Sequence, residues 1–166
     1  MIEFARKNVV VKWLLIVVRV MLGWYWFKAA LNKLQKGNFD ATQYISGAIE
    51  KSQGAKPSIP DWWGQFLESV VMPNIQIFNF IVPVGELLVG IGLIVGLFTK
   101  TAAFFGFMMN YAFFLSGSVS LNPTMIIASL LILISLHQAG SIGLDGLIRS
   151  RNFSFFNKQK GVSAQT

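Results

Sequence analysis

Three polar side chains stand where their surroundings should penalise them. Arg19 lies near the centre of the apolar run at about Val9–Leu31, Glu86 near the centre of Ile75–Leu97, and Asn110 near the centre of Thr101–Gly117. A charge at the middle of a bilayer costs from about 3 to more than 10 kcal/mol, depending on the method. Groups held at that cost either pair or act. Adjacent antiparallel spans put Arg19 and Glu86 at one depth, and a guanidinium can meet a carboxylate in a bidentate pair. The expectation is therefore a buried Arg19–Glu86 pair, with Asn110 as a further donor or acceptor. Such a pair can fix register and nothing more. It can also hold a polar headgroup or move a proton, and intramembrane ionisable groups favour that functional reading.

Two lysines read differently. Lys28 follows Arg19 by nine residues, about half a turn away and close to the outer end, where snorkelling accounts for it. Lys33 follows by fourteen, nearly back on the Arg19 face, and can close the outer end of the same cavity. The Trp24–Phe27 cluster suits interface anchoring, with Trp26 and Phe27 close to the Arg19–Gly23–Lys33 stripe. His137, near the end of the last apolar run, reads as a hydrogen-bonded terminus residue that can also titrate near neutral pH. Cysteine is absent and His137 is the one histidine. Disulfides, thiolate nucleophiles, Cys-ligated clusters and bis-His haem within one chain are excluded, and no metal or haem is expected.

The elements that must position these residues are helices in a membrane. Of 166 residues, 54% are apolar and 13% charged, against about 25% charged in a soluble domain. Four runs approach the roughly 20 residues that cross a bilayer core: about 9–31, 75–97, 101–117 and 123–139. They are too long for buried strands, and an open sheet is not viable in lipid. Arg19 within the first run argues against a cleaved signal. The fold expected is an all-α integral membrane protein, a single four-transmembrane-helix bundle over residues 1–148 with a basic cytoplasmic tail over 149–166. Arg6, Lys7, Lys12, Lys100, Arg149, Arg151, Lys158 and Lys160 fall on one side, which puts both termini in the cytoplasm of a multi-pass cell-membrane protein. The net charge of +7 thus marks membrane boundaries, not a nucleic-acid partner.

The external loop, 32–74, carries four lysines and four acids. Asp40 with Gln43 has the look of a helix start, and Tyr44, Ile45, Ala48 and Ile49 share a face. Pro60–Val71 reads as an amphipathic helix, with Trp62, Trp63, Phe66, Leu67, Val70 and Val71 at helical spacing. It lies in the outer interface or packs as a lid on the bundle. In the second run, Gly92 and Gly96 have small-xxx-small spacing for close helix approach, and Pro83 removes one ladder hydrogen bond.

In this order the residues resemble the DoxX/DoxD family of small four-helix membrane proteins. The resemblance rests on Arg19-Val-Met-Leu-Gly23 with Lys33-Leu34, and on Pro83-Val-Gly-Glu86 continuing through Gly90 and Gly96 to Leu-Phe-Thr. It continues through Met109-Asn110, Ser116-Gly117 and Asn122-Pro123 to Gly140, Gly143 and Leu144-Asp145. It covers nearly the whole chain, and the long loop with Trp62 and Trp63 is similar to the DoxD branch. It implies a quinone-binding membrane subunit of a thiosulfate:quinone oxidoreductase-like system, at most a quinone-linked oxidoreductase subunit. On that implication Glu86 and Arg19 are the catalytic candidates, while Arg19, Phe27, Lys33, Glu86, Phe107, Asn110 and Tyr111 surround a menaquinone or ubiquinone. The implied partners are membrane lipids, the quinone, and a second redox subunit or further copies of the chain. The alternative is a non-catalytic assembly, chaperone or lipid-binding protein using the same cavity. A proton-coupled transporter comes third, since no internal repeat is visible.

Overall fold

The computed structural model describes residues 8–35, 37, 39–53, 56–135 and 139–148. Among these the chain is helical and has no strand. The helices are α1 (Val9–Gln35), α2 (Thr42–Gln53), α3 (Asp61–Phe66), α4 (Ile75–Val95), α5 (Thr99–Leu115) and α6 (Asn122–Ile134). His137 and the tail 149–166 lie outside the described residues, as do Arg6 and Lys7.

Among the described residues, two stretches are long and apolar enough to cross a membrane: Val9–Gln35 and the continuous helical run Asp61–Val95. The second departs from the sequence reading, which separated the Trp-rich helix from the following span. Here α3 runs into α4 through a π turn (Leu67–Val71) and a 3₁₀ turn (Met72–Asn74). Pro73 is the reason: it has no N–H to return to Ser69, so the ladder widens and then tightens around it. Met72 N–H accordingly reaches back to the Leu67 carbonyl. Helix α1 extends to Gln35, one turn past its expected end, while α6 stops at Ile134, short of 139.

Helices α1, α4, α5 and α6 form the bundle, with α1 against α4 and α5 against α6 as the closest pairs and a looser α4–α5 seam. Leu22, Trp26, Val89, Leu93, Ala102, Ala103 and Ile132 make its core. Large apolar side chains face outward along the helices, among them Val17, Phe80, Leu88, Phe105, Ile127 and Leu131, a surface that water disfavours and lipid accepts.

Glycine sets the α1–α4 register. A Cβ at Gly90 would lie 2.6 Å from the Phe27 backbone nitrogen, and one at Gly23 would lie 2.9 Å from that of Ile94. The two backbones therefore touch, as small residues permit. The sequence reading gave close approach of a neighbouring helix to Gly92 and Gly96, and Gly92 does make one, though with α5: a Cβ there would lie 3.1 Å from Ala102 Cβ. Gly96 instead ends α4 in the left-handed conformation at φ 71°, the usual C-terminal glycine.

The loop segment packs as a lid. Ala41, Ile45, Ala48, Ile59, Leu67 and Val71 form a second core, and Trp63 Nε1 donates to Ser116 Oγ at 2.9 Å at the end of α5. Trp62, Phe66 and Val70 stay exposed on the adjoining face, with Phe66 stacked on Trp63 at 5.2 Å at the groove. Asp40 does start α2, accepting from Thr42 N–H and hydroxyl at 2.9 and 2.6 Å. Asn79 ties it to α4, accepting from Ala41 N–H and donating to Asp40. Those hydrogen bonds hold the Asp40 carboxyl below its ordinary pKa, Thr42's hydroxyl contributing most.

Candidate functional site

The α1–α4 register decides which polar groups meet. Phe27 lies against Gly90, Gly23 against Leu93 and Ile94, and Arg19 against Gly96. Continuing the antiparallel run the other way brings Lys33 to Glu86. Lys33 Nζ donates to both carboxylate oxygens at 2.7 Å. Glu86 is 1% exposed and the Lys33 side chain 25%, so a fully buried acid is tied to a cation that reaches the edge of the bundle. Lys33 also sits 5.4 Å from the centre of the Phe39 ring.

The expected Arg19–Glu86 pair does not form. Arg19 and Lys33 are fourteen residues apart, about 21 Å along a helix at ~1.5 Å per residue. The sequence reading aligned the two apolar runs by their centres, whereas the glycine contacts slide α4 along α1 by nearly three turns. Arg19 is buried at the opposite end, where α4 turns into α5 (the turn end). Its Nη1 donates to the Ala139 carbonyl at 2.7 Å, with Asp145 near enough to act on it electrostatically. Asp145 accepts from Phe98 and Thr99 N–H at 2.8 Å each, capping α5, while its own N–H donates to the Gly96 carbonyl at 2.8 Å. Phe98 holds a left-handed φ of 49° there. Arg19 and Asp145 close this end of the bundle. Sequence reasoning saw Asp145 only within a terminal motif, because the helix start it caps lies 46 residues earlier in the chain.

Asn110 falls at the depth of Glu86. Met109 sulfur lies 3.4 Å from the Cβ position of Gly85, and Ala102 packs on Gly92, so α4 and α5 run antiparallel with 86 and 110 at nearly one level. Asn110 is 1% exposed, and its Nδ2 has no hydrogen-bond partner among the described residues. The structure thus brings Lys33, Glu86 and Asn110 to the same end of the bundle. Phe27 backs onto the Gly90 contact and stacks on Trp24 at 6.0 Å. Phe107 and Tyr111 stack on each other at 6.1 Å, with Tyr111 44% exposed. Lys28 is exposed, as expected.

A groove of about 1070 Å³ runs along the looser α4–α5 seam, from Phe98 and Thr101 at the turn end to Tyr44, Trp63 and Ser116 beneath the lid. Its walls are almost wholly apolar. None of Arg19, Phe27, Lys33, Glu86, Phe107, Asn110 or Tyr111 lines it. Val89, Met109 and Phe113 do, and the same three side chains also pack on the bundle core. Tyr44 donates to the Phe113 carbonyl at 3.2 Å at the rim, and partial burial raises its phenol pKa above the ordinary value. The groove and the apolar core that holds Trp26 therefore share one layer of side chains.

No curated protein and no solved structure matches the chain. The family described as TQO small subunit DoxD matches residues 13–164. That match covers the bundle, the lid and both polar nodes, and the chain belongs to the DoxD family.

Proposed function

We propose that the chain is a four-span bundle in the cell membrane, with residues 32–74 outside and both termini in the cytoplasm. In this reading it serves as the quinone-binding subunit of a thiosulfate:quinone oxidoreductase-like system. The observation that carries the reading is the buried Lys33–Glu86 pair with an unpartnered Asn110 amide at its level. Three polar groups at that depth are costly in lipid, and the family's description supplies the quinone connection.

The residues fit such a group. Asn110 Nδ2 is a buried donor lacking an acceptor, and a carbonyl oxygen supplies one. A bound quinone would contribute a two-electron, two-proton acceptor. Glu86 holds a proton site inside the apolar bundle, of the kind general acid–base chemistry uses. Lys33 balances its charge and, being partly exposed, links it to water at the outer end. Asn110 orients the ligand. Arg19 belongs to the other end, bracing the turn between α4 and α5. The chain has no cysteine, so oxidation of the sulfur substrate falls to a partner subunit, as the words "small subunit" suggest.

Equilibrium binding of short-chain menaquinone and ubiquinone analogues to the purified, folded chain tests this. Saturable binding is expected, weakened at least ~10-fold by Glu86→Gln and unchanged by Lys28→Gln, whose side chain faces outward. One charge-assisted hydrogen bond is worth about that factor. No saturable binding of either analogue would overturn the redox reading and leave an assembly or lipid-binding role.

A further inference from the structure

We propose that the Trp26 indole N–H and the Asn110 amide form a donor pair for a quinone carbonyl. In this arrangement the isoprenoid tail lies in the α4–α5 groove and the head reaches the pair past the Gly85–Met109 contact. The inference rests on the quinone reading above and adds the way in, the place of the tail and a residue, Trp26, that the sequence never assigned to the site.

Trp26 is 2% exposed, and its Nε1, like Asn110 Nδ2, has no acceptor among the described residues. Buried indole N–H groups ordinarily find a partner, and each buried donor left unpaired costs about 1–3 kcal/mol. Two such donors belong to one neighbourhood. A Cβ at Gly106 would lie 3.0 Å from Trp26 Nε1 and 3.1 Å from Val89 Cγ1. One turn on, Asn110 shares that face of α5. Further along it, Phe113 meets the indole ring at 6.5 Å between centroids. The indole therefore lies along the face that presents the Asn110 amide.

That neighbourhood is separated from lipid by a thin wall. Val89, Met109 and Phe113 line the groove and pack on the core that contains Trp26. Met109 closes the seam against Gly85, its Sδ and Cε 3.4 and 3.5 Å from the Cβ position. An unbranched thioether is the side chain most easily turned aside, and Gly85 offers nothing to obstruct the passage. The groove's roughly 1070 Å³ is at the upper end of ligand pockets and suits a long chain. The donors choose the occupant. They are neutral and buried in the bundle, and Lys33, the cation at the level of Asn110, is engaged by Glu86. A phospholipid keeps its phosphate at the interface, whereas a quinone carries hydrogen-bond acceptors on an otherwise apolar body.

The test uses the full chain in nanodiscs and a short-chain menaquinone analogue labelled with carbon-13 at the carbonyls. Trp26→Phe and Asn110→Leu should each weaken binding about 10-fold, the worth of one buried hydrogen bond. Each should also return a lowered carbonyl stretch toward its free frequency. Gly85→Leu should weaken binding at least ~100-fold, and Gly85→Ala, whose Cβ makes only ordinary contact with the Met109 side-chain tip, should weaken it less; a cooperative thermal melt of each variant checks that it is folded. Asn110→Leu should not lower the melting temperature of ligand-free protein by removing this donor, which has no bond to lose. If wild type binds while Trp26→Phe and Asn110→Leu change neither affinity nor carbonyl frequency, the donor pair is wrong and the quinone reading stands. Unchanged affinity in Gly85→Leu overturns the route. No saturable binding to folded wild type overturns the quinone reading itself and this inference with it.

Discussion

The Lys33–Glu86 pair makes an asymmetric prediction. Removing Lys33 (Lys33→Met) leaves a carboxylate at 1% exposure with its cation gone. Breaking a buried pair in that way costs about 3–5 kcal/mol. Removing the acid (Glu86→Gln) leaves Lys33, whose side chain is already a quarter exposed, free to turn to water at the loop end, and the cost falls to about 1–2 kcal/mol. The double variant Lys33→Met/Glu86→Gln should cost less than the sum by about 1–3 kcal/mol. Unfolding free energies in mixed micelles measure all four species of the cycle. Equal single losses that add to within ~0.5 kcal/mol would refute the pairing and its asymmetry. The same assay checks the register. Arg19→Met combined with Glu86→Gln should be additive, since about 21 Å of helix separates Arg19 from the pair. Strong Arg19–Glu86 coupling would mean that the glycine contacts do not set the α1–α4 alignment.

Gly90→Ala places a Cβ 2.6 Å from the Phe27 backbone and should cost about 1–3 kcal/mol by overpacking. Gly47→Ala meets no atom within 4 Å in α2 and should be neutral or gain about 0.5–1 kcal/mol; thermal melts of the two decide whether contact or propensity governs. Asp145→Ala strips the cap from α5 and should lose about 1–2 kcal/mol, read as earlier amide exchange at Phe98 and Thr99. In the cysteine-free chain, Lys56→Cys should react with an impermeant thiol reagent on intact cells and Lys100→Cys should not; the reverse labelling would invert the proposed topology.

The apolar helices were legible in the sequence because their signal is local. Hydropathy and length place α1, α4, α5 and α6 to within a few residues, and the Asp40 start of α2 follows from one side chain and its neighbours. The polar residues were legible as types but not as partners. Glu86 and Asn110 do share a level, and Lys33 does sit on the Arg19 face of α1. Which cation meets Glu86 depends on how far one helix slides along another, and that is fixed by contacts between residues far apart in sequence. The π turn ahead of α4 was missed for a different reason. Pro73 reads as a break, yet a proline at this point is absorbed by one widened turn and one tightened turn, leaving the helix continuous.

Glycine placement then explains why the bundle has two polar nodes and not one. With α1 and α4 in backbone contact at Gly23 and Gly90, a charge at position 19 can reach only the turn end. There the positive φ of Gly96 turns the chain, and Gly143 packs within 2.9 Å of it at its own Cβ position. That closeness brings Asp145 under the first turn of α5 and beside Arg19, so this node spends its charges on closure. A charge at position 33 reaches the loop end instead, where the lid covers the groove. The same alignment that takes Arg19 away from Glu86 leaves Glu86 with a partner that touches the outside. A buried acid tied to a partly exposed cation is a poorer structural clamp than a fully buried pair, and a better route for a proton.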